Sequence, residues 1–169
     1  WSIEPWKDKG NQVGGIIIAA EDVTQSHKAQ IALAASEERF QLAMEGSNDG
    51  VWDWNVVTGE VYLSPGWKKM LGYKPDELPN EFDVWKRLLH PEDRVASETY
   101  LNKVIEDPEA DSLGFSFRLA HKYGGWVKVL SRGKILRDAQ GNATRVVGTH
   151  FDRTEVENLQ SELQEAWVH

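Results

Sequence analysis

The chain has 169 residues, of which 40% are hydrophobic, and it carries a formal net charge of -8 at pH 7. A nucleic-acid-binding surface needs clustered lysine and arginine to displace phosphate counterions, so this charge argues against one. The chain has no cysteine, which excludes disulfides, cysteine-zinc sites and thiol catalysis. The longest apolar run covers only residues 13–20, whereas a membrane helix needs about 20 residues.

The sequence pattern of residues 1–22 predicts two strands, with a turn at residues 9–11. Two isolated strands are marginally stable in water, so we expect this pair to dock on the rest of the chain or on a partner chain. Residues 24–44 are rich in alanine and contain neither glycine nor proline, which predicts a helix that ends at Gly46. Ser36 is a candidate N-cap, so one long helix and two helices with a break there are both compatible with the pattern.

The next segment predicts a hairpin followed by short helices. Alternation over residues 51–57 places Trp52 and Trp54 on one face, and the turn at Thr58-Gly59 leads into a second strand. Ser64 followed by Pro65 is typical of a helix start.

Two further helices are predicted before the chain returns to strands. One covers residues 82–89, and a longer one runs from the loop His90-Pro91 to residue 105. Acidic side chains suit the first turn of a helix, so we expect Asp93 to accept hydrogen bonds from the first-turn amides of the longer helix.

The last third predicts three strands and an exit helix. The strands cover residues 113–119, 126–136 and 144–151, and Thr154 and Glu157 have the spacing of a capping box that begins the helix. The order of elements predicts an α+β fold, with a five-stranded antiparallel sheet and short helices on one face. The exit helix carries apolar residues at the spacing of a coiled-coil seam, namely Val156, Leu159, Leu163 and Ala166.

A group of motifs occurs twice. Asp8 and Asp138 each precede a glycine-asparagine turn and an apolar strand, and Asp22 and Asp152 each begin an Asp-x-Thr motif. Both pairs are 130 residues apart, whereas the turn glycine is displaced by one more residue, which we interpret as an insertion. Because only the end of a unit repeats, we expect the tail of one domain, a connector, one complete domain and the start of another connector.

These motifs together resemble a PAS domain with its C-terminal PAC motif, of the subgroup common in bacterial multidomain sensors. The matching segments are Asp49–Trp54, Thr58-Gly59, Ser64–Trp67, Met70–Tyr73, His90–Arg94, Gly125–Val127, Arg132-Gly133, Arg137-Asp138, Gly141, Gly148 and Asp152–Thr154.

The resemblance implies a division of the chain into four parts. Residues 1–23 would be the last strands of a preceding PAS/PAC domain, residues 24–35 a helical linker, residues 36–154 the sensor domain, and residues 155–169 the start of a signalling helix. It also implies a cytoplasmic sensory or interaction module, upstream of a histidine kinase, a GGDEF diguanylate cyclase or an EAL phosphodiesterase. The acidic residues are dispersed, so we expect no catalysis by this segment itself.

Some members of this family hold haem, flavin or another chromophore. Haem needs an axial ligand, and no histidine has a second ligand at metal spacing, so we expect neither haem nor metal. A non-covalent flavin or a small apolar ligand stays an alternative to a core that its own aromatic residues fill. The candidate lining residues are Trp52, Trp54, Trp85, Phe115, Phe117 and Trp126.

The sequence therefore favours a signal-input and relay domain. A change at the sheet would pass through the junction at Asp152 and Thr154 into the exit helix, whose seam predicts a parallel homodimer. The alternative is a ligand-free interaction module that only sets the geometry of the dimer.

Overall fold

The computed structural model describes residues 2–47 and 49–168, and the chain divides into two compact units between residues 42 and 43. The first unit contains an antiparallel hairpin of strands β1 (Ser2–Lys7) and β2 (Val13–Ala19). Helix α1 (Thr24–Ser47) then runs without a break through Ser36. Of the two arrangements compatible with the sequence, the structure has the single long helix.

The second unit is built on a five-stranded antiparallel sheet with the strand order β4-β3-β7-β6-β5. This sheet confirms the predicted α+β fold class. The strands are β3 (Gly50–Asn55), β4 (Val61–Leu63), β5 (Ser112–Ala120), β6 (Trp126–Arg137) and β7 (Ala143–Asp152). The helices are α2 (Pro65–Met70), α3 (Phe82–Leu88) and α4 (Pro91–Glu106), all between β4 and β5, and α5 (Thr154–Val168), which follows β7.

Helix α2 begins as the sequence predicts. The Ser64 hydroxyl accepts hydrogen bonds from the backbone N–H of Trp67 at 3.2 Å and of Val51 at 2.9 Å, and Pro65 occupies the first turn. Ser64 therefore caps the helix and also ties its start to strand β3.

The start of helix α4 differs from the prediction. His90 is the N-cap, and its Nδ1 accepts the Glu92 N–H at 3.1 Å. The Asp93 carboxylate instead binds Arg118 on β5, accepting from its backbone N–H, Nε and Nη2 at 2.8–2.9 Å. The predicted role of Asp93 as a cap is wrong, because a guanidinium with two aligned donors is the stronger partner. The hydrogen bonds from Arg118 also hold the pKa of Asp93 below its usual value.

The helices α2, α3 and α4 pack on the face of the sheet that carries the core. Trp67, Leu71, Val84 and Leu119 are fully buried there. Two paired glycines, Gly133 on β6 and Gly148 on β7, lie beneath the indole of Trp52. A Cβ at either position would come within 3 Å of that ring, so the absence of a side chain makes room for Trp52 to lie on the sheet.

The hairpin of the first unit repeats the hairpin β6–β7 at the same offset of 130 residues. Ser2 pairs with Ala19 as Arg132 pairs with Thr149, and both hairpins have an irregularity one pair before the turn. In each turn an aspartate Oδ1, of Asp8 or Asp138, accepts two backbone N–H groups at 2.8–3.0 Å.

The geometry of the two turns shows that the predicted one-residue insertion at the turn glycine is wrong. Asn11 has a φ of 65° and Gly141 a φ of 87°, and these two residues hold the same place after the aspartate. Asparagine tolerates the left-handed region better than most residues do. The position equivalent to Gly141 is therefore Asn11 rather than Gly10, and the repeat contains no insertion.

Candidate functional site

A cavity of about 40 Å³ lies between the sheet and helices α2, α3 and α4. It has room for roughly three or four water molecules, since one water needs about 10–15 Å³ of such space. Its lining residues are Trp52, Trp54, Val61, Leu63, Trp67, Phe82, Trp85, Leu101, Leu113, Phe115, Ser131 and His150.

The candidate lining residues from the sequence do not all lie at this cavity. Trp52, Trp54, Trp85 and Phe115 line it. Phe117 is buried beside it, with its ring centroid 5.6 Å from that of Trp85 and 5.3 Å from that of His150.

Trp126, by contrast, lies outside the cavity. It is 42% exposed, and its ring centroid is 4.2 Å from that of His90. On β6 the buried positions are Val127, Val129, Ser131 and Ile135, and Trp126 belongs to the opposite face. The alternation of side chains along β6 therefore could have indicated that Ser131 faces the cavity and that Trp126 lies on the opposite face of the sheet.

Sequence reasoning also missed the lining residues Trp67, Phe82, Ser131 and His150. On β7, Val146 and His150 lie four residues apart and therefore share a face, and this face is the buried one. Trp67 and Phe82 belong to short helices with too few turns to show a period, so no pattern in the sequence assigns their direction.

The polar centre of the cavity is the pair His150 and Trp67. The indole Nε1–H of Trp67 donates to Nδ1 of His150 at 2.7 Å, and both side chains are buried. Burial lowers the pKa of His150 to about 3, because the charged ring would lose its hydration. The ring is therefore neutral at pH 7, and since Nδ1 accepts a hydrogen bond, the proton is assigned to Nε2.

Two other indoles at the cavity lack a partner. The Nε1–H groups of Trp52 and Trp85 are buried and have no hydrogen-bond acceptor among the residues that the structure describes. Both side chains are more than nine-tenths buried and both line the cavity. Leaving a buried donor unpaired costs about 1–3 kcal/mol, so these two indoles are exceptions to the usual pairing of buried polar groups.

Neither haem nor flavin fits this cavity. Pockets for ligands of drug size have volumes of about 300–1,000 Å³, and the cavity has about 40 Å³. Among the described residues that line the cavity, His150 is the only histidine, and its Nδ1 already accepts the hydrogen bond from Trp67. Within residues 2–47 and 49–168, no group of three or more histidine, aspartate or glutamate side chains could hold a metal ion.

The second feature of the site is the junction between the sheet and helix α5. Lys128 on β6 makes four contacts with the start of α5. Its backbone N–H donates to the Thr154 hydroxyl at 2.9 Å, and its carbonyl accepts the Arg153 N–H at 2.8 Å. Its Nζ donates to Asn158 at 3.2 Å and lies 3.8 Å from the Glu157 carboxylate.

This junction replaces the predicted capping box. The Thr154 hydroxyl is used by Lys128, and Glu157 faces the lysine ammonium, so the prediction of a reciprocal Thr154–Glu157 pair is wrong. The start of α5 is instead capped by Asp152, whose Oδ1 accepts the Thr154 N–H at 2.9 Å. Asp22 and Thr24 form the same contact at 2.9 Å before α1.

The sequence of this domain matches a known family. The family model described as PAS fold matches residues 60–150. The chain belongs to the PAS fold family.

Relatives and solved structures agree with this assignment. A crystal structure of a sensory box histidine kinase/response regulator from Burkholderia thailandensis has 35% identity and a TM-score of 0.64, and the match covers 76% of this chain and 94% of that one. Hybrid signal transduction histidine kinase A of Dictyostelium discoideum is 58% identical over 54% of this chain and 4% of its own length. The probable diguanylate cyclase DgcE of Escherichia coli is 27% identical over 87% of this chain and 13% of its own length.

The chain spans between 4% and 32% of the length of the six curated relatives that it matches. In the part of the chain that the structure describes, no helix is both long enough and apolar enough to cross a bilayer.

Proposed function

We propose that this PAS domain is the signal-input and relay module of a larger signalling protein. It would pass a change in its sheet through helix α5 to an output domain in the same chain, a histidine kinase or a diguanylate cyclase. One matched relative is named a histidine kinase and another a probable diguanylate cyclase. The domain itself would not be an enzyme, and the resemblance implies a cytoplasmic location.

The observation that carries this proposal is the attachment of α5 to the sheet. Lys128 joins β6 to Thr154, Asn158 and Glu157 on the first turn and a half of the helix. The cavity residue Ser131 lies three residues along β6 from Lys128, and the cavity residue His150 lies two residues before Asp152 on β7. A shift of either strand at the cavity would therefore alter the direction of α5 and bias a two-state output.

The alternative function is a ligand-free module that sets dimer geometry. The small volume of the cavity, about 40 Å³, favours it over the sensing of a large ligand. In both alternatives the exit helix pairs with a second copy through Val156, Leu159, Leu163 and Ala166, and the relay role of Asp152 and Thr154 is the same.

We also propose that residues 1–23 are the last strands of a preceding domain of the same type, and residues 24–35 the linker to the domain of residues 36–154. The identical register of the two hairpins and the equivalent contacts of Asp22 and Asp152 support this division. Residues 155–169 would then be the equivalent start of the next connector.

Insertions into α5 of the multidomain protein test the relay. One residue added after Ser161 rotates the following helix by about 100°, whereas seven residues restore the direction to within about 20°. We expect output activity to change strongly when one residue is inserted and to return to the wild-type level when seven residues are inserted.

The control is a seven-residue insertion in an exposed loop, such as that at Tyr123, which should leave the output and its response unchanged. A series in which activity declines steadily with insertion length, without recovery at seven residues, would contradict transmission through the helix direction.

A further inference from the structure

We infer that the cavity is a binding site for a small uncharged molecule with a hydrogen-bond acceptor, such as a carbonyl oxygen, that Trp52 and Trp85 bind through their indole N–H groups. This inference rests on the proposed function, for which such a molecule would be the signal. The lining and volume of the cavity define the hydrogen bonding, charge and size of this molecule.

The hydrogen-bonding role of the ligand follows from the indoles. An indole Nε1–H is a donor only. The structure gives the donor of Trp67 an acceptor, His150, but leaves those of Trp52 and Trp85 buried without one among the described residues. Because both residues line the cavity, it is suited to an oxygen that accepts from one or both indoles.

The lack of charge follows from the lining. Within residues 2–47 and 49–168, the only polar or titratable side chains that line it, apart from the indoles, are those of Ser131 and His150, and no lysine, arginine, aspartate or glutamate is among them. Burial lowers the pKa of His150 to about 3, so this ring supplies no positive charge at neutral pH. An ion bound here would lose its hydration without a counter-charge, whereas a neutral carbonyl would lose only hydrogen bonds that the indoles replace.

The size of the ligand follows from the volume. An apolar cavity of roughly 150 Å³ can hold benzene, and this cavity has about 40 Å³. It therefore suits a molecule of roughly three or four non-hydrogen atoms, and a cluster of about three or four waters is the occupant that such a molecule would displace.

Acetone and isobutene form a matched pair of probes, since they have the same shape and differ in the oxygen that accepts the hydrogen bond. Each is titrated into the whole chain labelled with ¹⁵N-tryptophan, and the indole N–H resonances are followed by NMR. We expect acetone to give saturable downfield shifts of the Trp52 and Trp85 indole protons, and isobutene to give none downfield. The indole of Trp167, which is 88% exposed, should shift only linearly, if at all.

Variants separate hydrogen bonding from simple filling of space. Trp52→Phe and Trp85→Phe should each raise the dissociation constant of acetone relative to that of isobutene by roughly three- to tenfold, the effect of one lost hydrogen bond. Trp126→Phe is the matched control, because it makes the same change outside the cavity and should leave the ratio as it is. Near-UV circular dichroism confirms that each variant is folded, and the wild-type shifts provide a readout that needs no variant.

Two results would overturn the inference. One is that acetone produces only linear shifts at Trp52 and Trp85, so that water alone occupies the cavity. The other is an unchanged ratio of the two constants in both cavity variants. The insertion series in α5 is independent of these measurements, so a relay without a ligand, and a ligand site without a relay, give different combinations of results.

Discussion

His150 shows how a single side chain of the cavity links stability to pH. Its pKa is lowered to about 3 by burial, whereas an unperturbed histidine has a pKa near 6.5. Between these two values the unfolded chain binds a proton at this residue and the folded chain does not. The free energy of unfolding should therefore decrease as pH falls from about 6.5 towards 3, with a slope that approaches about 1.4 kcal/mol per pH unit.

Urea denaturation between pH 4.5 and pH 6.5 measures this slope. The pKa of Asp93 is held below its ordinary value of 3.8, so its contribution is lost only at lower pH, and Glu77, whose pKa is lowered from 4.5 mainly by Lys122, contributes only near the acid end of this window. His150→Gln should flatten the dependence, whereas His27→Gln, at an exposed position of α1, should keep it. Equal slopes for the wild type and His150→Gln would show that His150 is not the source.

The strands at the centre of the sheet depend on close contact between Gly133, Gly148 and the indole of Trp52. A Cβ added at Gly148 would lie 2.1 Å from the Arg132 carbonyl oxygen and 2.7 Å from the Trp52 ring. Because the carbonyl belongs to the paired backbone, β6 and β7 must separate, and we expect Gly148→Ala to destabilise the domain by about 1–3 kcal/mol or more.

Gly114→Ala is the matched control in the same sheet. The nearest atom to its added Cβ, the Ser131 carbonyl oxygen, lies 3.9 Å away, so the change should be within about 0.5 kcal/mol of neutral. Thermal and urea denaturation of the two variants give the comparison. Similar midpoints for both would mean that the sheet adapts to the extra atom at Gly148.

The predictions from sequence succeeded where a local rule decides the outcome. The alternation of β3 placed Trp52 and Trp54 together, and Ser64-Pro65 located the start of α2. They failed where a distant residue competes. Asp93 binds Arg118, which lies 25 residues away, and Thr154 binds Lys128, 26 residues away. A period assigns a side chain to a face but does not reveal which donor lies opposite.

At the scale of the whole molecule, the sequence repeat correctly predicted a second hairpin at the start of the chain, because the residues of the turn set the register of a hairpin. Asp8 and Asp138 form the same turn, so their hairpins have the same pairing. The cavity volume could not be predicted in this way, since it is the small difference between the space among eight elements and the side chains that fill it. Aromatic composition alone fits both a filled core and a ligand pocket.

The exit helix is the element through which one copy of the molecule would pair with another. Val156, Leu159 and Leu163 are 51%, 53% and 61% exposed, so these apolar side chains are available to a second copy and contribute little to the core. Replacing Leu159 and Leu163 by serine should weaken a parallel dimer while the domain stays folded. Each buried leucine is worth about 1.5–3 kcal/mol, and we expect the dissociation constant to rise by more than tenfold.

Light scattering over a range of concentrations measures the mass of both forms. The double variant Gln160→Ser and Gln164→Ser is the matched control, because it makes two changes four residues apart on α5 beside the seam and should leave the mass unchanged. The serine variant at Leu159 and Leu163 should approach the monomer mass of 19.2 kDa at concentrations where the wild type is dimeric. The same mass for all three proteins at every concentration would place the contact between copies elsewhere than on the α5 seam.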